Sequence, residues 1–166
     1  TLRGQEVAIK CKPNAHARPF KAYFFPTPRF IPINTFPLLR HTSLRLVGAG
    51  PGGLQLGHYM MKAGRDYMVY ERNARAGSFF ETYPIHRGLI SLNKRNTGRD
   101  NAMFNMRHDW NSLLDTEVTP ITKRTTDRWP HADVVAEYAR DFAVEQHDKG
   151  HILYNTAVKR VERDAG

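Results

Sequence analysis

The sequence predicts an α/β fold built on a parallel sheet, and three observations carry that prediction. A glycine cluster, "GAGPGG" at residues 48–53, lies between a short apolar run and a stretch that winds as a helix. A second apolar run rich in β-branched and aromatic residues, "DYMVYE" at 66–71, follows that helix at once. A long amphipathic stretch at 133–147 then leads into two more strand-like runs. Strand, turn, helix and strand in that order make a βαβ unit, whose strands lie parallel with a right-handed crossover.

The elements follow in chain order. Residues 1–43 hold six of the ten prolines, at 13, 19, 26, 28, 32 and 37, and show neither helical nor strand periodicity. Proline fixes φ and removes a donor, so this segment is expected to be a basic arm without a packed element, disordered or foreign to the fold. From residue 44 the grammar changes, and 44–166 is expected to form the N-terminal part of one nucleotide-binding domain. "LRLV" at 44–47 reads as the first strand. Arg45 conflicts with a strand that is central and buried in such folds; its side chain must reach an end of the sheet, or the strand must begin nearer Leu46. Residues 52–63 wind a helix with Leu54, Leu56, Tyr59, Met60 and Met61 as its apolar positions and Gly64 as its stop. Residues 74–131 are polar and irregular, too long for a simple connection, which marks a functional excursion or a small subdomain. The helix over 133–147 carries Val134, Val135, Tyr138, Ala139 and Phe142 on one stripe, and Gly150 ends it. "ILYN" and "AVKRVERD" supply the last two strands.

Composition narrows the function classes. The net charge of +9 is uneven: residues 1–43 carry seven Lys and Arg against one acid, so two thirds of the excess sits in the first quarter of the chain. That basicity describes the arm, and a nucleic-acid role, which needs basic and aromatic residues gathered on one folded face, is not expected. No apolar run reaches the length of a membrane span. The single cysteine, Cys11, excludes an internal disulfide and any CxxC redox pair within these residues.

Gly48, Gly50 and Gly53 form G-x-G-x-x-G between a strand and a helix, the context that gives the pattern meaning. The first glycine permits the tight turn, the second lets backbone approach a pyrophosphate at the helix N-terminus, and the third lets helix and strand pack closely. Pro51 falls at the helix start, where its missing N–H costs little. Glu71 ends the second strand, 21 residues after Gly50, where a carboxylate can accept both ribose hydroxyls of an adenine dinucleotide. Alone, the glycines would read as a structural turn and Glu71 as a solvated strand end; in register, they read as a dinucleotide site. The pattern does not decide between NAD and FAD.

The residues that follow do. "YERNARAGSFF" resembles the E-R-x-x-x-x-G-G stretch of FAD-binding proteins in the flavin monooxygenase and thioredoxin reductase-like group, with Ser78 in place of the second glycine. "GAGPGGLQ", "AGRDYMVYERNARAGSFFETYPIHRGLISLNKRNTG" and "FNMRHDWNSLL" resemble the FAD-dependent oxidoreductase domain-containing protein 2 family, from about His41 to Gly166. The resemblance implies a Rossmann-like FAD/NAD(P)-binding fold and an FAD cofactor. It implies that Gly48, Gly50, Pro51, Gly52 and Gly53 hold the pyrophosphate, that Glu71 and Arg72 meet the adenosine, and that Gly77, Ser78 and Phe79 lie along the cofactor. Asn93 and the 107–112 string would lie nearer the flavin or substrate, and a backbone group at Val158 would meet the adenine. The family also implies a monooxygenase-like oxidoreductase of the endoplasmic-reticulum lumen, linked to degradation of misfolded glycoproteins and to partners of that machinery. NAD(P)H would be its reductant, bound through a second domain, and its substrate is not readable. The alternatives are a non-catalytic, dinucleotide-bound module for glycoproteins, or an inactive truncated form. No secretory signal is visible in the first residues, which leaves a cytoplasmic location open.

With one glycine fingerprint and a last strand running to "ERDAG", the fold is expected to be incomplete at its C-terminus, with an exposed sheet edge, poor solubility and weak retention of flavin. Remaining motifs have bland readings. His147, Asp148 and His151 surround a helix end and are expected in a solvated loop rather than a metal site. His108 and Asp109 read as surface before they read as an oriented base. "NKR" at 93–95 reads as an exposed loop before a phosphate site, and Trp110 and Trp129 as core or lid aromatics.

Overall fold

The structure, a computed structural model, describes residues 5–11, 44–114 and 117–163. Strand β1 spans Gln5–Cys11, β2 Leu44–Val47, helix α1 Pro51–Lys62 and β3 Tyr67–Tyr70. Short helices α2 (Phe79–Thr82), α3 (Ala102–His108) and α4 (Ile121–Arg124) follow, then the long α5 (Ala132–Asp148), β4 (Ile152–Leu153) and β5 (Thr156–Arg163). The fold is α/β and Rossmann-like, and among the described residues its strands run parallel in two sheets: β2-β3-β4, and the pair β1-β5.

β3 is the hub. All four of its residues are buried, because side chains alternate across a strand and both faces are covered. Tyr67 and Val69 enter the main core with Leu54 of α1, with Val135, Tyr138, Ala139, Phe142 and Ala143 of α5, and with Ile152 of β4. Met68 and Tyr70 point the other way and pack with Ile9, Leu153 and Val158. α1 and α5 thus cover one face of the central sheet, and the β1-β5 pair covers the other.

Two expectations about strands change. β1 lies inside the first 43 residues, where no packed element was expected. It precedes the first proline, at position 13, and the prolines that argue for an arm all come later; residues 12–43 lie outside the described residues. β2 is an edge of its sheet among the described residues, with Val47 63% exposed, whereas a central strand was expected. This resolves the conflict at Arg45: its side chain is half-buried, and Nη1 donates to the buried Tyr70 hydroxyl at 2.8 Å.

The helices sit within one or two residues of expectation, but the buried face of α1 differs. Leu54, Gly57 and His58 are buried, while Leu56 and Tyr59 are exposed. Gly57 explains the turn of the helix. A Cβ there would stand 2.2 Å from Gln146 Oε1 and 3.1 Å from the Tyr67 ring, so the missing side chain lets α1 lie close on α5 and β3. Gln146 fastens that contact: Nε2 donates to the Leu54 carbonyl at 3.0 Å, and Oε1 accepts from the Tyr67 hydroxyl at 3.2 Å. Burial, with the Glu145 charge second, pushes the Tyr67 phenol far up, so it stays a donor. Gln146→Leu is expected to cost about 1–3 kcal/mol, since Tyr67 keeps a buried hydroxyl without an acceptor. A lower denaturant midpoint at unchanged slope is the expected reading.

The irregular stretch 74–131 is folded against α5 and on itself. Leu113 N donates to the Tyr138 hydroxyl at 2.7 Å, Leu89 N to the Pro130 carbonyl at 2.9 Å, and Arg124 pairs with Asp141 at 2.7 Å. Trp110 and Trp129 are 72% and 54% exposed and so are not core residues; Lys94 Nζ lies 3.8 Å over the Trp110 ring.

Candidate functional site

The end of β2 and the end of β3 meet at one peptide. Gly48 N donates to the Tyr70 carbonyl at 2.8 Å, and Ala49 N donates to Glu71 Oε2 at 2.7 Å. The Ala49 carbonyl in turn accepts from Gly77 N at 3.0 Å. Ala49 is fully buried, and through its peptide the glycine turn, the acid and the loop after it are tied together.

The turn is built as its spacing predicts. Gly48 has φ +94°, a conformation glycine adopts without strain. A Cβ on Gly53 would stand 2.1 Å from the Gly48 carbonyl oxygen, which only glycine allows. Around Gly50 and Gly52, by contrast, no atom lies within 4 Å of where a Cβ would be. Backbone there is open to an approaching group. Pro51 takes the first helical position, Gly50 offers no side-chain cap, and the first turn of α1 holds no acid. The helix end keeps unsatisfied N–H donors and the positive end of its dipole, the ordinary setting for a pyrophosphate.

A cavity of about 750 Å³ opens over this place, of a size that suits a small-molecule ligand. It is lined by Gly50, Glu71 and Arg72, by Asn73 to Arg75, and by Ser78, Phe79 and Glu81 to Tyr83. Of the residues expected to touch a dinucleotide, Gly50, Glu71, Arg72, Ser78 and Phe79 therefore share one cavity, while Gly48, Pro51, Gly52 and Gly53 belong to the adjoining turn and helix start and do not line it. Three others stand elsewhere. Gly77 is turned against α5, where a Cβ would meet Ala139 Cβ at 2.7 Å. Asn93 is buried and braces the excursion through Nδ2, which donates to the carbonyls of Thr125 at 3.1 Å and Asp127 at 3.2 Å; its Oδ1 has no partner among the described residues. Val158 packs in the second core with Ile9 and Tyr70.

Glu71 is only 5% exposed. Beside the bond from Ala49, Oε1 accepts from Asn73 N at 2.9 Å and from Asn73 Nδ2 at 3.0 Å. Asn73 Nδ2 also donates to Ser78 Oγ at 2.8 Å. Asn73 escaped the sequence reading. Its signal was its place two residues past the acid, because asparagine at a chain turn bonds nearby groups through its side chain.

The rim carries an ion cluster that was likewise not foreseen. Glu81 Oε1 receives Arg75 Nε and Arg140 Nη2, each at 2.5 Å, tying the loop and α2 to α5. Burial raises the Glu81 carboxyl, but hydrogen bonds and charge from the two arginines outweigh it and hold it below the usual carboxylate range. Because folding lowers this pKa, the stabilisation is present above the ordinary carboxylate value of about 4 and is lost as the pH falls through the lower folded value. Glu81→Gln is expected to lower Tm by about 1–3 °C at pH 7, a small effect because the cluster is solvent-screened. The difference from the parent chain should vanish in acid.

Other candidates resolve into structural contacts. Asp109 Oδ1 accepts from the amides of Asn111 and Ser112 at 3.2 and 3.1 Å, while His108 stacks on Phe104 and its Nδ1 lies 2.7 Å from the Phe104 carbonyl. They are engaged separately and form no oriented pair. His151 stacks on Tyr67 and His147 lies against Tyr154. Among the described residues no three His, Cys, Asp or Glu side chains are placed to hold a metal, and no helix is long and apolar enough to cross a membrane.

Residues 46–166 match the family described as pyridine nucleotide-disulphide oxidoreductase. The chain belongs to that family. The chain is similar to the FAD-dependent oxidoreductase domain-containing protein 2 of Mus musculus, with 46% identity over 125 residues, 75% of this chain and 18% of that protein. The protein of the same name from Danio rerio is 46% identical over 118 residues, 70% of this chain and 17% of that one. The chain thus spans less than a fifth of the length of the curated relatives it matches. Among solved structures, bacillithiol disulfide reductase of Staphylococcus aureus superposes with a TM-score of 0.48 at 17% identity, over 69% of this chain and 28% of that one. The flavin-containing monooxygenase of Stenotrophomonas maltophilia gives 0.48 at 16% identity, over 68% and 28%.

Proposed function

We propose that this chain forms the adenosine and pyrophosphate end of an FAD site in a larger flavin oxidoreductase. One observation carries the reading: Gly50, at the uncapped N-terminus of α1, and Glu71, at the end of β3, line the same cavity. The residues fit the group. Open space around Gly50 and Gly52 leaves room for a pyrophosphate against the helix amides, and the Glu71 carboxylate stands where the ribose would lie. Arg72, exposed on the cavity wall, adds a cation near the phosphates. Phe79, 61% exposed and stacked on Tyr83, offers an apolar face along the bound molecule. When bound, the flavin supplies the redox chemistry; this chain binds and orients it.

In the whole protein, the reading extends to NAD(P)H as reductant, to a monooxygenase-like or oxidase-like course, and to the endoplasmic-reticulum lumen with its glycoprotein degradation machinery. The resemblance to the FAD-dependent oxidoreductase domain-containing protein 2 relatives supports these steps.

Equilibrium titration with FAD, followed by flavin fluorescence, tests the reading. The expected result is weak, saturable binding that ADP competes away and that gel filtration strips. If neither FAD nor ADP binds the chain, the reading fails.

A further inference from the structure

Glu71 has too little acceptor capacity left for a ribose diol. A carboxylate offers about four lone-pair sites, and three are filled by Ala49 N, Asn73 N and Asn73 Nδ2. One remains on Oε2, whereas a ribose presents two hydroxyl donors. Asn73 supplies what is missing. Its Nδ2 spends both protons, on Glu71 Oε1 and Ser78 Oγ, which fixes the plane of the amide. Its Oδ1 accepts no hydrogen bond among the described residues, and the exposed side chain lines the same cavity as Glu71.

We propose that Glu71 and Asn73 read the ribose diol jointly, Glu71 accepting one hydroxyl through Oε2 and Asn73 accepting the other through Oδ1. Asn73 is then a specificity residue for an unmodified ribose, and it holds Glu71 in place through the same amide. The inference rests on the adenine dinucleotide reading above and divides the recognition between two side chains.

Calorimetric titration of the chain with ADP, 2′-deoxy-ADP and 3′-deoxy-ADP separates the possibilities. Asn73→Ala is expected to weaken ADP by roughly three- to tenfold, the worth of one such hydrogen bond. The loss should be clearly smaller for one of the two deoxynucleotides, the one that already lacks the hydroxyl Asn73 reads, and what remains there reports the lost hold on Glu71. Glu71→Gln should show the reverse pattern, with its smaller loss falling on the other. A role confined to holding the loop would move all three ligands by one factor, and that outcome overturns the joint reading. So does an Asn73→Ala variant that binds every ligand as the parent does. A parent chain that binds neither ADP nor FAD brings down the dinucleotide reading itself, a distinct result.

Discussion

Replacing Gly53 with alanine is expected to destabilise the chain by about 1–3 kcal/mol and to weaken FAD more than tenfold. The new methyl would stand 2.1 Å from the Gly48 carbonyl oxygen and 3.3 Å from its carbon, and both are backbone atoms that no rotamer change moves. Helix α1 would have to lift from the turn, pulling Leu54, which is fully buried, out of its contacts. The helix amides that face the cavity would shift with it. Gly52→Ala is the control: nothing lies within 4 Å of its Cβ position, and alanine is the better helix former by about 1 kcal/mol. That variant should fold as well as the parent or better, and bind FAD more weakly only because a methyl stands where a phosphate would approach. Denaturant midpoints and flavin titrations on both variants check the pair. A Gly53→Ala chain with parental stability would mean that the turn and helix need no such closeness.

The centre of this fold was legible because its physics is local. A tight turn needs glycine, a close crossing needs the absence of a side chain, and a strand buried on both faces needs an unbroken apolar run, so Gly48, Gly53 and Tyr67–Tyr70 announce themselves. The edges were not legible for equally physical reasons. β1 is seven residues whose only reason to be a strand is β5, its partner some 150 positions away. The exposed face of α1 followed from Gly57 and Gln146, a contact between helices 89 positions apart that no periodicity of either helix reveals. In the site, Glu71 was visible through its distance from the glycines, whereas Asn73 and the Arg75–Glu81–Arg140 cluster act through contacts that depend on how the loop after β3 folds. Gly77 shows the reverse case: a glycine that fits a cofactor motif in sequence has, in the structure, a packing reason of its own against Ala136 and Ala139.

Glu71→Gln is expected to lower stability at pH 7 by about 1–3 kcal/mol as well as to weaken ADP and FAD. Two effects oppose each other. The substitution removes a charge from a residue 5% exposed, which relieves a desolvation cost. It also converts one carboxylate oxygen into an NH₂ group. Whichever way the amide turns, that group faces an N–H donor, either Ala49 N at 2.7 Å or Asn73 N at 2.9 Å. Hydrogen bonds to a charged acceptor are about twice as strong as neutral ones, and a buried donor left facing a donor loses its partner outright. The loss should win, because three bonds to the charge are weakened or broken for one charge relieved. An independent readout exists in Tyr154, whose phenol is pushed up first by burial and further by the negative charge of Glu71, against a lowering bond to Ala76. In the glutamine variant that phenol should titrate at lower pH, a change visible in the ultraviolet spectrum and independent of any ligand. A variant with parental stability and an unmoved Tyr154 would mean that the bonds from Ala49 and Asn73 do not hold the Glu71 side chain beside Tyr154, and it could then not be the fixed acceptor that the ribose requires.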